Sequence, residues 1–207
     1  MKIVDRLISK NRYNRIGLSS VPKRICVHYT GQAGADADRL ALFYANVAAG
    51  MFPDKPNSWT STQYIIGLNG EVIRIIPDTE IAYAASGKND GTLHIEVCYS
   101  KANGEFEAAS ISTLRELVQL LMKKYNIPAS KVLRHYDLTG KHCPIYYVDE
   151  TRWAALHEYI TSPATKPKRL YRVQVGAFSS KENASLYMSK VKAAGFNALV
   201  VEVDNNA

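Results

Sequence analysis

Two histidines and one cysteine of this 207-residue chain have side chains that could bind a metal ion together. His28 lies near the end of an apolar segment, and His135 and Cys143 flank the polar segment 136–142. Imidazole nitrogens and thiolate sulfur are good zinc ligands, and a catalytic zinc keeps one further position open for water. The spacing alone is not specific, because a histidine and a cysteine this close in sequence are more often unrelated. The three residues are therefore a candidate zinc site on the chemistry of their side chains, and not on their spacing.

Predicted strands surround these residues and would have to position them. The alternation of apolar residues predicts strands at 24–29, 63–68, 71–76 and 92–98. In the last of these, the period of two places His94, Glu96 and Cys98 on one face. The dipeptide Asn69-Gly70 separates the middle two and predicts a β-hairpin with a two-residue type I′ turn.

Helical periodicity alternates with the strands. It predicts helices over 36–49 and 112–125, and a third after Asp149, a plausible N-cap, that buries Trp153, Leu156 and Ile160. Strands mixed with helices imply a sheet covered by helices. We therefore expect an α/β fold, a central mixed β-sheet flanked by helices, with the zinc at the edge of the sheet.

A linker divides the chain into two parts. Residues 161–169 contain two prolines and no large apolar residue, which indicates a first domain over 1–160 and a second over 170–207. The second part predicts a small βαβ unit: strands over 171–178 and 197–203, and between them a helix capped by Ser179 with Glu182 and stopped by Gly195.

Composition and charge exclude several protein classes. Hydrophobic residues make up 46% and charged residues 22%, which predicts a folded protein, and no apolar run reaches the roughly 18 residues of a membrane span. Residues 1–20 lack the pattern of a secretory signal peptide. Three cysteines are too few for a disulfide framework. The net charge of +7 favours a polyanionic surface, such as nucleic acid, anionic lipid or a teichoic-acid-bearing wall, without choosing among them.

Two motifs resemble the type-2 amidase family, which includes phage lysins, bacterial wall amidases and animal peptidoglycan recognition proteins. They are VHYT at 27–30 and RHYDLTGKHCP at 134–144, and the resemblance extends over about residues 20–160. It implies that His28, His135 and Cys143 bind Zn²⁺. It also implies hydrolysis of the amide bond between N-acetylmuramic acid and L-alanine in peptidoglycan.

The same resemblance assigns two catalytic residues. Glu96 lies where many members have a catalytic glutamate, and Lys141 lies where members have a lysine at the reaction centre. Glu96 would take a proton from the attacking water and pass it to the leaving amine, and Lys141 would stabilise the oxyanion. The alternatives are an ion-paired strand carboxylate and a solvated loop lysine. Relatives often have glycine where this chain has His94, which we expect to border the cleft.

The second part resembles the first half of a SPOR module, on the motif YRVQVGAF at 171–178. SPOR modules bind glycan strands stripped of their peptides, so the resemblance implies a wall-binding module. A complete module has the order βαββαβ, and about 37 residues cannot bury a core alone. Either the module is cut short, or a second copy completes it in a homodimer formed through residues 170–203.

The sequence therefore predicts a zinc-dependent peptidoglycan hydrolase, with a phage or prophage endolysin favoured over an autolysin. It would be made in the cytoplasm without a signal peptide and would act on the cell wall after release. The alternative is a peptidoglycan-binding protein without catalysis, which typically lacks the metal cysteine that Cys143 supplies here. A nucleic-acid-binding function lacks any motif in its favour.

Overall fold

The computed structural model describes residues 1–52, 60–163 and 173–202. The chain divides into two compact units, Met1–Pro163 and Ala164–Ala207. Among the described residues, no helix combines the length and the apolar character that a membrane crossing requires.

Among the described residues, a six-stranded mixed sheet forms the centre of the first unit. Its strands are β1 (Ile3–Asp5), β2 (Arg24–Tyr29), β3 (Tyr64–Ile66), β4 (Val72–Arg74), β5 (Thr92–Val97) and β6 (Val132–Arg134). The spatial order is β1-β4-β3-β5-β2-β6, and every neighbouring pair is parallel except β3 and β4. The two long strands, β2 and β5, pair side by side near the middle of the sheet and carry His28 and Glu96, respectively.

Helices cover both faces of this sheet. They are α1 (Ala37–Ala48), α2 (Ala108–Tyr125) and α4 (Glu150–Thr161), while the short helix α3 (His135–Thr139) directly follows β6. Buried residues of α2 and α4 pack against one face, which includes Val27 and Ile95, and buried residues of α1 pack against the other, which includes Ile65 and Cys98. The predicted α/β architecture, a mixed sheet flanked by helices, is confirmed.

Local signals place the helix ends close to where the sequence predicts them. The Asp36 and Asp149 side chains accept hydrogen bonds from the backbone N–H groups of Arg39 and Arg152, so both cap helix N-termini. Helix α2 begins four residues before the predicted start at residue 112 and ends at Tyr125, and Asn126 after it adopts the left-handed conformation.

The hairpin between β3 and β4 forms, but with a different turn from the one predicted. The Gly67 N–H donates to the Glu71 carbonyl and the Gly70 N–H donates to the Gly67 carbonyl, which makes a three-residue loop. Among its residues only Gly70 has a positive φ, of 84°, whereas a type I′ turn needs two. Gly70 lies against α2, where a Cβ would stand 2.5 Å from the Thr113 hydroxyl oxygen, so packing and conformation both require glycine.

In the described part of the second unit, residues 173–202, there is one helix, α5 (Lys181–Ala193). Its N-cap is Ser180 and not the predicted Ser179, and Gly195 follows its C-terminus with a φ of 88°, as predicted. Residues 173–178 and 196–202 form no strand, so the flanking strands of the predicted βαβ unit are absent from the described residues. A strand needs a hydrogen-bonded neighbour, and no described segment of this unit supplies one.

The predicted linker overlaps the end of the first unit. Thr161 is the last residue of α4, and residues 162–163 also belong to the first unit. Residues 164–169 lie outside the described residues, as do 171–172 and 203 of the two predicted strands.

Candidate metal centre and active site

The structure brings His28, His135 and Cys143 together. One ligand atom from each of the three lies within 4.8 Å of the other two, and all three residues are buried. The His28 Nδ1 atom is 3.8 Å from the Cys143 Sγ atom, and the rings of His28 and His135 have centroids 4.6 Å apart. His28 thus joins two residues from a distant part of the sequence in one compact group of two nitrogen donors and one sulfur donor.

Strand register explains why these side chains meet. Strand β6 pairs in parallel with β2, with Val27 opposite Arg134, so the residues that follow this pair are His28, still in β2, and His135, directly after β6. On the other side, β5 places Glu96 opposite His28. His28, one residue before the end of β2, is therefore flanked by a histidine and a carboxylate, an arrangement that parallel strands produce at their carboxyl ends.

A short folded segment returns Cys143 to this edge of the sheet. Helix α3 starts at His135 and ends at Thr139, and Gly140 after it turns the chain with a φ of 76°. The Tyr136 N–H donates to the Cys143 carbonyl at 2.9 Å and closes the segment, and the Cys143–Pro144 peptide is cis. The sequence predicted only a polar connection here.

Arg134 holds this segment in place, and sequence reasoning missed its role. It is 3% exposed, and its guanidinium donates to Asp137 at 2.7 Å, to Glu150 at 2.9 Å and to the Tyr147 carbonyl at 2.8 Å. Asp137 also accepts from the Arg134 N–H at 2.7 Å. An arginine directly before a candidate ligand, with an aspartate three residues later, was the available signal.

Burial keeps the three donors neutral. It lowers the pKa of His28 well below its usual range and the pKa of His135 to about 4, and in both cases positive charge on Lys141 lowers it further. Burial also raises the pKa of the Cys143 thiol to about 12, with the charge of Glu96 adding to the effect. Neutral imidazoles offer lone pairs for a metal, whereas the thiol has to lose its proton to bind one.

Glu96 lies beside this group with one oxygen unsatisfied. Its Oε2 atom is buried and has no hydrogen-bond partner among the described residues. Burial raises the pKa of Glu96 to about 8, while the positive charge of Lys141 acts in the opposite direction. The alternative, that Glu96 is an ion-paired strand carboxylate, is not supported, because no ion pair involves Glu96 in the described part of the chain.

Lys141 is exposed, on the segment between α3 and Cys143. Its positive charge lowers the pKa values of Glu96, His28, His135 and Cys143. No side-chain hydrogen bond or ion pair holds Lys141 among the described residues. It is therefore free to contact a bound molecule.

His94 lies deeper, beneath His28. The structure places it on β5 on the same face as Glu96, fully buried, so it does not border an open cleft as the sequence predicted. Its Nδ1 atom is 2.9 Å from the Nε2 atom of His28. Cys26, His28 and His94 form a second group whose ligand atoms lie within 4.8 Å of one another.

Known families account for most of the chain. The model of the family described as N-acetylmuramoyl-L-alanine amidase matches residues 18–145, which include every candidate site residue. A SPOR domain model matches residues 154–206, and thus begins within α4.

Individual relatives agree with the family match. N-acetylmuramoyl-L-alanine amidase CwlL of Bacillus licheniformis is 29% identical over 164 residues, covering 73% of this chain and 44% of its own. N-acetylmuramoyl-L-alanine amidase CwlH of Bacillus subtilis is 34% identical over 163 residues, covering 75% and 59%. The chain thus spans about half the length of the curated relatives it matches.

A solved structure supports the same assignment through the fold. A mutant endolysin from Bacillus subtilis superposes with a TM-score of 0.65 at 28% identity, covering 77% of this chain and 99% of that one. A family model that matches more than half of the residues, and a shared fold over the same region, lead to one conclusion. The chain belongs to the N-acetylmuramoyl-L-alanine amidase family.

Proposed function

We propose that this chain is a zinc-dependent N-acetylmuramoyl-L-alanine amidase, which hydrolyses the amide bond between the lactyl group of N-acetylmuramic acid and L-alanine in peptidoglycan. One observation carries the proposal: two histidines and a cysteine converge at the sheet edge with Glu96 next to His28 in register. Membership in the family supplies the substrate class. The similarity to an endolysin structure favours a lysin that acts on the cell wall.

The donor set supports zinc as the metal. Two imidazoles and a thiolate are borderline and soft ligands, which suit zinc better than magnesium or calcium. In a tetrahedral zinc site, a nitrogen and a sulfur ligand lie about 3.6 Å apart, close to the 3.8 Å between His28 Nδ1 and Cys143 Sγ. The Nδ1 atom of His135 is buried without a hydrogen-bond partner among the described residues, as expected of a nitrogen kept for a metal.

Glu96 acts as the proton carrier in this proposal. Zinc, when bound by His28, His135 and Cys143, supplies a Lewis acid that polarises the substrate carbonyl and acidifies water. Glu96 accepts a proton from the attacking water as the new C–O bond forms. It then returns that proton to the amide nitrogen, the C–N bond breaks, and L-alanine leaves with a free amine. Its unsatisfied Oε2 atom is the atom available for the transfer.

Lys141 stabilises the oxygen that becomes negative during the attack. Its ammonium group has no partner among the described residues, and an exposed side chain can follow the substrate into place. A positioned donor to an oxyanion contributes about 3 kcal/mol to transition-state stabilisation. The Lys141 charge also counteracts the burial that raises the pKa of Glu96.

The experiment is to add the zinc-loaded chain to purified cell walls and follow turbidity together with new amino-terminal L-alanine. We expect turbidity to fall as L-alanine amines appear, and both to stop with excess chelator. The non-catalytic alternative, a peptidoglycan-binding protein, predicts a chain that sediments with the walls and releases no amine. Release of reducing sugar ends without amines would contradict the proposed bond.

The second unit is proposed to hold the enzyme on the wall. The SPOR match supports binding to peptide-free glycan strands, which is what an amidase leaves behind. A homodimer through residues 170–203 stays a prediction, and the absence of strands in the described residues removes its original basis. Sedimentation of the whole chain at micromolar concentration tests it, with a chain ending at Pro163 as the control; a monomeric whole chain would rule the dimer out.

A further inference from the structure

The buried histidine below the candidate zinc site is placed as if to orient a ligand. His94 is 0% exposed, and its ring centroid lies 5.1 Å from that of His28. The Nδ1 atom of His94 is 2.9 Å from the Nε2 atom of His28, a hydrogen-bond distance. The other nitrogen of His28, Nδ1, is the one that lies near Cys143. The two nitrogens of His28 thus face two different partners.

The hydrogen on His28 has only one position compatible with metal binding through Nδ1. A nitrogen that binds a metal offers its lone pair, so the single hydrogen of the neutral ring has to be on Nε2. That N–H then donates to Nδ1 of His94, which has to be unprotonated, with the His94 hydrogen on its own Nε2. The tautomers of the two rings are therefore coupled.

The other contacts of His94 are made by its main chain and not by its ring. Its backbone N–H donates to the Gln63 side-chain oxygen at 2.8 Å, and its carbonyl accepts from the Thr62 hydroxyl at 2.8 Å, so the main chain is fixed on both sides. The ring's other nitrogen, Nε2, is buried without a partner. Among the described residues, His28 is the one hydrogen-bond partner of the ring.

We propose that His94 is a positioning residue for the metal: it accepts a hydrogen bond from the Nε2–H of His28 and so fixes the tautomer and orientation in which His28 Nδ1 faces Cys143 and His135. This inference rests on the proposed function, since it requires a metal at those three residues. Acceptors behind metal-binding histidines commonly set ligand orientation, and their loss weakens metal binding about 10–100-fold.

A second metal ion held by Cys26, His28 and His94 is the competing arrangement. Their ligand atoms also lie within 4.8 Å of one another. Such an ion would need the side of the His28 ring that faces His94, because Nδ1 faces Cys143, and it would replace the hydrogen bond. The two arrangements therefore differ in stoichiometry, with one metal per chain in the first and two in the second.

The test compares His94→Leu, which removes the acceptor, with His94→Asn, whose amide oxygen reaches about the place of Nδ1 and can accept the same hydrogen bond. Zinc affinity of the whole chain is measured by competition with a chromophoric chelator. The absorption spectrum of the cobalt-substituted protein reports ligand geometry. We expect His94→Leu to bind zinc about 10–100-fold more weakly with an altered cobalt spectrum, and His94→Asn to restore most of both.

Two controls separate positioning from folding. Thermal unfolding of the metal-free variants should change little, because both keep the main-chain hydrogen bonds of residue 94. His157→Leu removes a histidine of α4 whose Nε2 atom contacts the Ala129 carbonyl at 3.0 Å, outside the site, and should leave zinc affinity unchanged.

Three results would overturn the role of His94: unchanged zinc affinity in His94→Leu, equal weakening in His94→Leu and His94→Asn, or two zinc ions per wild-type chain with one lost in His94→Leu. The proposed function fails separately. If Cys143→Ser binds zinc as tightly as the wild-type chain, the metal assignment is wrong whatever His94 does.

Discussion

The two units differ in how completely each covers its own apolar side chains. In the first, side chains such as Ile25, Ile95 and Leu117 are fully buried, and core residues lie on both faces of one sheet. In the second, α5 has no buried residue, and Leu186 is 64% exposed. A packed sheet can hold reactive side chains in fixed positions, which an uncovered helix cannot. The packed first unit is therefore the one that can hold the candidate site, whereas α5 leaves its apolar side chains uncovered.

The largest expected effect is the loss of the metal from the first unit. Cys143→Ser replaces a thiolate ligand with a neutral hydroxyl, which is a far poorer zinc ligand. We expect zinc to be lost and amine release to fall at least about 10³-fold, near the contribution of a metal-activated water. Elemental analysis and the wall assay measure both. Cys98→Ala is the control. Cys98 is a buried cysteine outside the donor group, so this variant should retain zinc.

The next effect separates catalysis from metal binding within the same unit. Glu96→Gln keeps the shape of the side chain but cannot accept a proton, so turnover should fall roughly 10²–10⁴-fold with zinc retained. Turnover should fall less in Lys141→Ala, because water can partly replace an exposed side chain in stabilising the oxyanion. Steady-state kinetics on a soluble muramyl peptide measure both variants. Near-normal turnover in Glu96→Gln would show that the base lies elsewhere.

A stability measurement tests the contrast in packing directly. Leu117→Ala removes a fully buried side chain between α2 and the sheet, which should cost about 2–5 kcal/mol of unfolding free energy. Leu186→Ala makes the same chemical change on exposed α5 and should stay within about 0.5 kcal/mol. Denaturant unfolding of the whole chain gives both values. A loss in Leu186→Ala as large as that in Leu117→Ala would mean that α5 is packed after all.

The smallest effect concerns pH. Burial raises the pKa of Glu96 in the metal-free chain to about 8 from an ordinary value of 4.5, so the folded state keeps a proton that the unfolded state releases between those values. The stability that this proton contributes is present at low pH and lost as pH rises through the window. Glu96→Gln does not titrate, so relative to wild type it should gain at least about 1 kcal/mol between pH 5 and 8. Parallel stability curves would contradict the burial of a neutral carboxyl.

Long, regular patterns made the core of the fold predictable from sequence. The alternation in 92–98 gave the shared face of His94 and Glu96, and the apolar stripe in 112–125 gave most of α2. Strands β1 and β6 have three residues each and take their stability from neighbouring strands, so no local pattern marks them. The hairpin turn depends on Gly70 packing against α2, a contact that the Asn69-Gly70 dipeptide does not encode.

The site was predictable in composition but not in arrangement. The motifs identified His28, His135 and Cys143, and the structure brings them together. The part played by Arg134 depends on carbonyls of residues 147 and 148 folding back over it. The contact between His28 and His94 depends on the register of β2 with β5. Both are tertiary contacts, so single-sequence periodicity could not reveal them.

We propose that one metal ion, held entirely within the first unit, drives hydrolysis of the bond to L-alanine. The most direct test is to titrate zinc into the metal-free whole chain and into a chain ending at Pro163, and to count the L-alanine amines released from a soluble muramyl peptide. We predict that amine release by each of the two chains increases with added zinc and stops increasing at one zinc per chain, with rates within about twofold of each other. Amine release without metal, or release by the whole chain but not by the chain ending at Pro163, would contradict this proposal.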